Sequence, residues 1–408
     1  MQKLKDKYME KQVMKMAFDF DNVVERRGTG SRKWDGVQDV FGEEVLPLWI
    51  ADMDFSSPPA VAEALQERAA HPIYAYNTQE ESLYEAIIEW NRRRHAWQIQ
   101  REWLLLTPGV VPALTLAVYS FSKEGEGVII QPPVYPPFFE LVKDNGRAVV
   151  ENPLRLQNGR YEIDFADLEE KMADPNNTLL LLCSPHNPTG RVWSREELAT
   201  LKELARRYQV TVLADEIHSD IVYRGQRHIP LASIEGGASD NIVTFMAASK
   251  TFNVAGLNLS YVVVPCPQKR KQLDNWIGRI HLRRNNLFSV LATEVAYRQG
   301  GEWLDALLPY LAANAEYAAQ FLQDRLPEVT MVKPEGTYLI WLDFNKYFSD
   351  SRELDRFMVQ EAKVGLNSGR SFGRQGEGFV RLNIATSRRI LHEALERIEQ
   401  ALKKRGKE

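Results

Sequence analysis

The chain has 408 residues, 44% hydrophobic and 26% charged, with a formal net charge of -4, a profile that fits a globular protein with one large core and a second domain. That charge balance argues against nucleic acid or an anionic membrane as the principal partner, and two cysteines, Cys183 and Cys266, are too few for a disulfide framework or a thiolate metal cluster. No run reaches the ~18 consecutive apolar residues of a membrane span, and the lysine-rich start with Met9, Val13 and Met14 lacks the apolar core of a secretion signal, so a cytoplasmic location is expected.

A polar segment around Arg26 to Asp35 leads to LWIADMDF at 48–55, after which Pro58 and Pro59 open a helix, whose first turn does not need the donors prolines lack. Residues 81–96 read as a second helix, and TPGVVPALTLAVYSF at 107–121 sets a glycine turn before an apolar one. Short apolar strands follow: GVII at 127–130, RAVV at 147–150, TLLLLC at 178–183, VTVLAD at 210–215, NIVTFM at 241–246 and YVVV at 261–264. REELATLKELARRY at 195–208 is the clearest connecting helix. This alternation predicts an α/β fold with a mostly parallel sheet covered by helices. A helical region spans roughly 268–325, broken near Gly300, Gly301 and Pro309. Beyond it VTMV at 329–332, TYLIWLDF at 337–344 and GFVRLNIA at 378–385 alternate with helices over 351–362 and 388–404. The expected organisation is a large domain over 61–299 and a smaller mixed α+β domain over 300–408, joined by the segment 1–60.

Ligands of open α/β sheets bind at the carboxyl ends of the strands, so the polar residues collected there carry the functional signal. Asn187 in SPHNPTG, Asp215 at the head of DEIHSD and Lys250 in AASKTFNVAG follow three strands. An amide, a carboxylate and an amine so placed suit pyridoxal 5′-phosphate. A lysine amine can hold the cofactor aldehyde and move a proton at a substrate α-carbon, while a buried carboxylate keeps the pyridine nitrogen protonated. Tyr135 in QPPVYPPF is a candidate to lie against the ring, and the backbone donors of Gly109, Val110 and Val111 face a phosphate at a helix start. Each residue also has a plainer reading. Lys250 alone is a solvated charge, Asp215 a helix cap, Asn187 beside Pro188 and Gly190 an ordinary turn, His218 a helix-surface residue and Tyr135 a packing residue. The seven histidines show no metal-ligand spacing, and no metal is expected.

SPHNPTG, DEIH and SKTFNVAG, in that order and at those intervals, resemble the fold type I pyridoxal-phosphate enzymes of the class I and II aminotransferase superfamily. FDFD, SRKWD, WIADMDF, QPPVYPPF, SPHNPTGRVW and GFVRLNIA narrow the resemblance to its cystathionine β-lyase/cysteine desulfhydrase branch, over about residues 18–400. The resemblance implies that the large domain binds the cofactor, Lys250 holds it as a Schiff base, and Asp215 meets the pyridine nitrogen. Asn187, helped by His218, would contact the phenolic oxygen, Tyr135 would stack, and Gly109, Val110 and Ser249 would lie near the phosphate. Arg381 would grip the substrate α-carboxylate through its planar fork, with the Ala51 and Asp52 loop approaching from the other side, although its neighbours Val380 and Leu382 leave its strand face open. Tyr76 in HPIYAY, with Tyr74 next, would reach the phosphate of a neighbouring subunit in a homodimer with shared active sites.

The sequence departs from the superfamily pattern at Asn258, where an arginine commonly binds phosphate, at Ala247, where a serine often does, and at Ala75, where the branch often has glycine. The implied reaction is carbon–sulfur β-elimination from cystathionine or a related S-substituted cysteine, giving pyruvate, ammonia and a thiol. Transamination with a 2-oxo acid and a cofactor-binding regulatory role are the alternatives. Met16 to Phe20, Tyr338 and the region near Phe372 are candidate entrance elements, and core packing explains them equally well.

Overall fold

The computed structural model describes residues 18–78, 81–234 and 241–406; Met16 and Ala17, the start of one expected entrance element, lie outside the described residues. The main sheet has seven strands: β1 (Leu104–Thr107), β2 (Gly127–Ile130), β3 (Ala148–Glu151), β4 (Asn177–Cys183), β5 (Thr211–Asp215), β6 (Ile242–Met246) and β7 (Ser260–Val263). Their spatial order is β1-β7-β6-β5-β4-β2-β3, with β7 antiparallel to both neighbours and the pairs from β6 to β3 parallel.

The uninterrupted run Leu179 to Leu182 is fully buried because helices cover both faces of the sheet. Side chains alternate along a strand, so Leu180 and Leu182 enter one apolar cluster with Leu198 and Leu201 of helix α4 (Arg195–Arg207). Leu179 and Leu181 enter another with Ala113, Leu114 and Ala117 of helix α3 (Val110–Phe121). Two further helices, α1 (Pro59–Ala70) and α2 (Glu81–His95), precede β1.

The helical region after β7 divides into α5 (Pro267–Arg279), α6 (Leu287–Gln299) and α7 (Gly301–Arg325). Gly300 ends α6, as expected, but Pro309 lies inside α7 and does not break it. Leu304, Leu307 and Leu311 are completely buried around it. At about 1.5–3 kcal/mol for each buried aliphatic side chain, that stripe outweighs the roughly 3 kcal/mol an interior proline costs. The second break falls instead at 280–286, where His281 takes φ 57° and the Asn286 side chain accepts from the N–H groups of Phe288 and Ser289 to start α6.

A second, antiparallel sheet has the order β8-β9-β11-β10, formed by β8 (Thr330–Val332), β9 (Leu339–Asp343), β10 (Asn367–Ser368) and β11 (Phe379–Asn383), with helix α8 (Arg388–Arg405) following. The expected helix over 351–362 is α-helical only at Ser351–Arg356 and continues as a wider π turn over Phe357–Glu361. The N-terminal segment adds to this part of the molecule: Leu46–Pro47 pairs in parallel with Val364–Gly365, and the Asn383 N–H donates to the Leu48 carbonyl at 3.0 Å. That stitching brings Trp49, Ile50 and Ala51 beside Cys183 and Asp215 at the ends of β4 and β5.

Candidate active site

The turn bearing Asn187 is held from below by one buried cation. The Arg191 guanidinium, 1% exposed, makes bonds of 2.6 and 2.7 Å to the Glu197 carboxylate, stacks over Trp193 at 4.7 Å and also pairs with Glu335. Glu197 in turn closes a capping box with Ser194 at the start of α4. The turn after β4, the following helix and the loop before β9 therefore share one charged anchor. Above it, Asn187 Oδ1 accepts from Arg381 of β11 at 3.0 Å.

The same guanidinium donates to the Trp49 carbonyl at 2.8 Å and to Asn367 Oδ1 at 2.6 Å, and it lies 5.1 Å over the Phe372 ring. Arg381 therefore faces inward. Its Nε has no hydrogen-bond partner among the described residues although it is buried. Phe372, itself completely buried beside Trp341, supports this arginine and is no part of an entrance.

Lys250 follows β6 on the short helix Ala248–Thr251, and its Nζ donates to the Ala51 carbonyl at 2.6 Å. That oxygen also accepts from the Tyr338 hydroxyl at 2.9 Å. The loop is fixed by Asn383, whose amide donates to the carbonyls of both Ile50 and Asp52 at 2.6 Å. The Asp52 carboxylate is occupied by Arg26, at 2.9 Å, and Lys33. Of this loop Ala51 lines the cavity beside Lys250, together with Trp49 and Ile50.

Lys250, Asp215, Asn187, His218, Tyr135 and Arg381 line one cavity of about 370 Å³, with Val110 and Val111 at the first turn of α3. Burial pushes the Asp215 carboxyl up to about 7 despite the Ile217 N–H that bonds it at 3.1 Å and the attraction of Lys250. Burial also brings the Lys250 ammonium down to about 8, helped by the nearby Arg381 charge and opposed by Asp52 and Asp215. His218 falls to about 3, through burial and then the positive charges of Lys250 and Arg381, so its ring is neutral. Its Nδ1 is buried with no hydrogen-bond partner among the described residues. The Tyr135 hydroxyl is raised to about 12, first by burial and then by Asp215, and stays protonated.

Gly109 precedes α3 at φ 152°, a conformation that favours glycine, and releases the unpaired N–H groups of the helix's first turn toward the cavity end marked by Val110 and Val111. Ser249 sits beside Lys250 on the short helix. Tyr76 is not brought to the cavity by its own chain: its ring is 89% exposed, with the Arg284 guanidinium 4.7 Å above it. Asn258 stands in the left-handed region at φ 52° and borders a separate surface cleft with Gly256 and Leu257. An asparagine there suits the backbone, since asparagine tolerates that conformation better than most residues. Sequence reasoning missed Arg32, Trp49, Ile50, Cys183, Ile217 and Asn367 as cavity residues. Cys183 ends β4 directly paired with Asp215 of β5, so strand-end reasoning had the means to find it.

The cavity fits pyridoxal phosphate on its own chemistry. The Asp215 carboxylate has a single hydrogen bond among the described residues, from a backbone N–H, and keeps acceptor capacity for a ring cation. His218 Nδ1 and Arg381 Nε remain unmatched, and the start of α3 supplies phosphate donors.

A strand-end cavity holding lysine, aspartate and asparagine on a seven-stranded mixed sheet defines the class, a fold type I enzyme that uses pyridoxal 5′-phosphate. The chain belongs to the family of class I and II aminotransferases, whose model matches residues 43–398, and within it stands close to the cystathionine β-lyase/C–S lyase branch. Cystathionine beta-lyase PatB of Bacillus subtilis is 46% identical over 385 residues, covering 94% of this chain and all of PatB. Among solved structures, the pyridoxal-phosphate-containing cystalysin of Treponema denticola superposes with a TM-score of 0.92 at 36% identity, over 95% of this chain and 100% of that one. The cofactor-bound C–S lyase of Staphylococcus hominis gives 0.88 at 36% identity, over 94% and 98%. Among the described residues no helix is long and apolar enough to cross a membrane, and no cluster of three His, Cys, Asp or Glu is placed to hold a metal ion.

Proposed function

We propose that the protein catalyses carbon–sulfur β-elimination from L-cystathionine or a related S-substituted cysteine, releasing pyruvate, ammonia and a thiol. The observation that carries this reading is that one cavity is lined by the Lys250 amine, the inward-turned Arg381 and the buried Asp215 carboxyl. Relatives that cover 94% of the chain, a cystathionine beta-lyase and a C–S lyase, support the lyase over the transaminase reading.

When bound, pyridoxal phosphate supplies the electron sink that makes the substrate α-proton acidic. Asp215 would hold the ring nitrogen protonated: a carboxyl raised to about 7 by burial ionises fully once a cation takes its free oxygen. Asn187 and the neutral His218 would fix the ring's phenolic oxygen, and Tyr135 would cover its face. Val110, Val111, Gly109 and Ser249 would anchor the phosphate, joined by Tyr76 from a second subunit. Arg381 would orient the substrate by its α-carboxylate, using the Nε that has no hydrogen-bond partner among the described residues and the Nη2 group on the same edge, which now rests on the Trp49 carbonyl and Asn367. Lys250 would leave the Ala51 carbonyl, take the α-proton as a neutral amine and later return a proton. Its amine, brought to about 8, is far closer to that task than a solvent-exposed lysine. The Cβ–S bond then breaks with its electron pair on sulfur while the electrons of the former Cα–H bond form a Cα=Cβ bond. The thiolate takes up a proton and departs, and the released 2-aminoacrylate tautomerises to the imine and takes up water to give pyruvate and ammonia. Ala51, beside Lys250 in the lining, would shield the α-carbon from water, with Asp52 acting only behind it, through its bonds to Arg26 and Asn383.

The test is to incubate the cofactor-loaded protein with L-cystathionine in the absence of any 2-oxo acid and to quantify pyruvate. Pyruvate in molar excess over enzyme is expected. Product only when a 2-oxo acid is added would replace the lyase reading with transamination.

A further inference from the structure

The stretch from Arg26 to Lys33 carries four cations, and three of them are neutralised. Arg26 pairs with Asp52 and Asp54, Arg27 with Glu44, and Lys33, fully buried, with Asp54 at 3.0 Å. Arg32 has no carboxylate within ion-pairing distance and no side-chain hydrogen bond among the described residues, and it lines the cavity that holds Lys250 and Arg381.

Its place is built, not incidental. The Asp35 carboxylate accepts from the N–H groups of Gly28, Gly30 and Ser31 at 2.7–3.0 Å, with Gly28 and Gly30 at φ 73° and 77°. The next two residues are tied down as well. The Lys33 carbonyl accepts from the Trp49 indole at 3.1 Å, and the Trp34 indole donates to Asp54 at 2.9 Å. In a turn fastened on both sides, Arg32 alone of the four cations lines the cavity. Arg32 is exposed to solvent, whereas Arg381, lining the same cavity, is buried.

Arg381 answers to the α-carboxylate that every amino-acid substrate carries. A second, unpaired guanidinium in the same cavity discriminates only if the far end of the substrate is also anionic. We infer that Arg32 is a specificity-determining residue that binds a terminal carboxylate on the substrate side chain, selecting long dicarboxylic S-substituted cysteines over cysteine and alkyl-cysteines. This rests on the proposed action at an amino-acid α-carbon and names the substrate class of that same site.

The experiment separates recognition from elimination. L-2-aminosuberate and L-2-aminooctanoate have equal chain length, differ in the terminal carboxylate and have no β-leaving group. Titrating each into holoenzyme and following the visible absorbance of the bound cofactor gives two dissociation constants. The native protein is expected to prefer the aminosuberate by about tenfold or more, the scale of one partly exposed charge-assisted pair, and Arg32→Gln to abolish that preference while 2-aminooctanoate binds unchanged. In turnover, Arg32→Gln is expected to raise KM for L-cystathionine with kcat kept, and to leave S-ethyl-L-cysteine unaffected. Equal preference in the native protein, equal losses for both ligands, or a variant that retains the preference would overturn the inference. Loss of bound cofactor from Arg32→Gln would overturn it too, assigning the residue to the phosphate. A preserved preference for the aminosuberate in the native protein with no pyruvate from L-cystathionine would leave Arg32 in place and remove the lyase reading.

Discussion

Lys250 and Asp215 have proton affinities driven toward each other by the same dehydration: the amine comes down to about 8 and the carboxyl up to about 7. Replacing Lys250 with alanine is expected to cut turnover by about 10²–10⁴-fold, the usual contribution of a positioned proton-transfer group. Mass spectrometry after borohydride reduction is expected to find the cofactor on the native Lys250 peptide and none on the variant. Asp215 also leaves a stability signature in the cofactor-free protein. Its folded-state carboxyl binds a proton more tightly than the unfolded one, whose ordinary value is 3.8, so between about 4 and 7 the folded state holds the extra proton. Stability is therefore full below that window and falls as pH rises through it, by an amount on the order of 4 kcal/mol at most. Asp215→Asn removes the ionisation: the cofactor-free variant is expected to melt above the cofactor-free native protein at pH 8 and level with it at pH 4. A native melting temperature flat across that range would contradict the assignment.

The elements that bring these side chains together are each stabilised far from the chemistry. Ser194 caps α4 by accepting from the Glu197 N–H at 3.2 Å, and Glu197 returns the bond to the Ser194 N–H at 2.7 Å. Ser194→Ala is expected to cost about 1 kcal/mol in chemical denaturation, with KM for the amino acid unchanged. A KM that rises with the loss would mean that the cap also positions the Asn187 turn through Arg191. At this scale the sequence was readable where one signal dominated. The strands β4 to β6 announce themselves as apolar runs because they are covered on both faces, and Lys250, Asp215 and Asn187 follow directly from where those runs stop. Arg381 lay on a legible strand, yet its inward direction needed the pairing of β11 with β9 and the Trp49 carbonyl beyond it. The short edge strand Leu104–Thr107 escaped because four residues give too little periodicity to separate strand from helix. Pro309 misled because local propensity is a small quantity beside the leucines buried on either side of it. Arg32 was invisible for a different reason, since it sits in an irregular turn whose shape comes from glycines and one carboxylate rather than from any repeat.

For the whole molecule, the exposed Tyr76 and Tyr74, the latter beside Phe288, present aromatic surface to solvent. We propose that it lies in a homodimer contact that sends Tyr76 into the second subunit's cavity. Mixing Lys250→Ala with Tyr76→Ala subunits under exchange conditions tests this directly. Random pairing makes half the dimers hybrid, each with one site that has both residues, so about a quarter of native activity is expected to return from two feeble parents. No recovery despite verified exchange would place Tyr76 outside the partner's site. One further consequence follows from the bond between Arg381 and the Trp49 carbonyl, which joins positions 332 residues apart. The end of the cavity where we propose that a substrate carboxylate binds is closed by Trp49, from the N-terminal part of the chain, and Arg381, from the C-terminal part. On the ribosome, the strands carrying Asn187, Asp215 and Lys250 emerge long before Arg381 does. A nascent chain halted before β11 is thus expected to offer the phosphate cradle without the carboxylate clasp, so an amino acid has no two-point hold until synthesis is nearly finished.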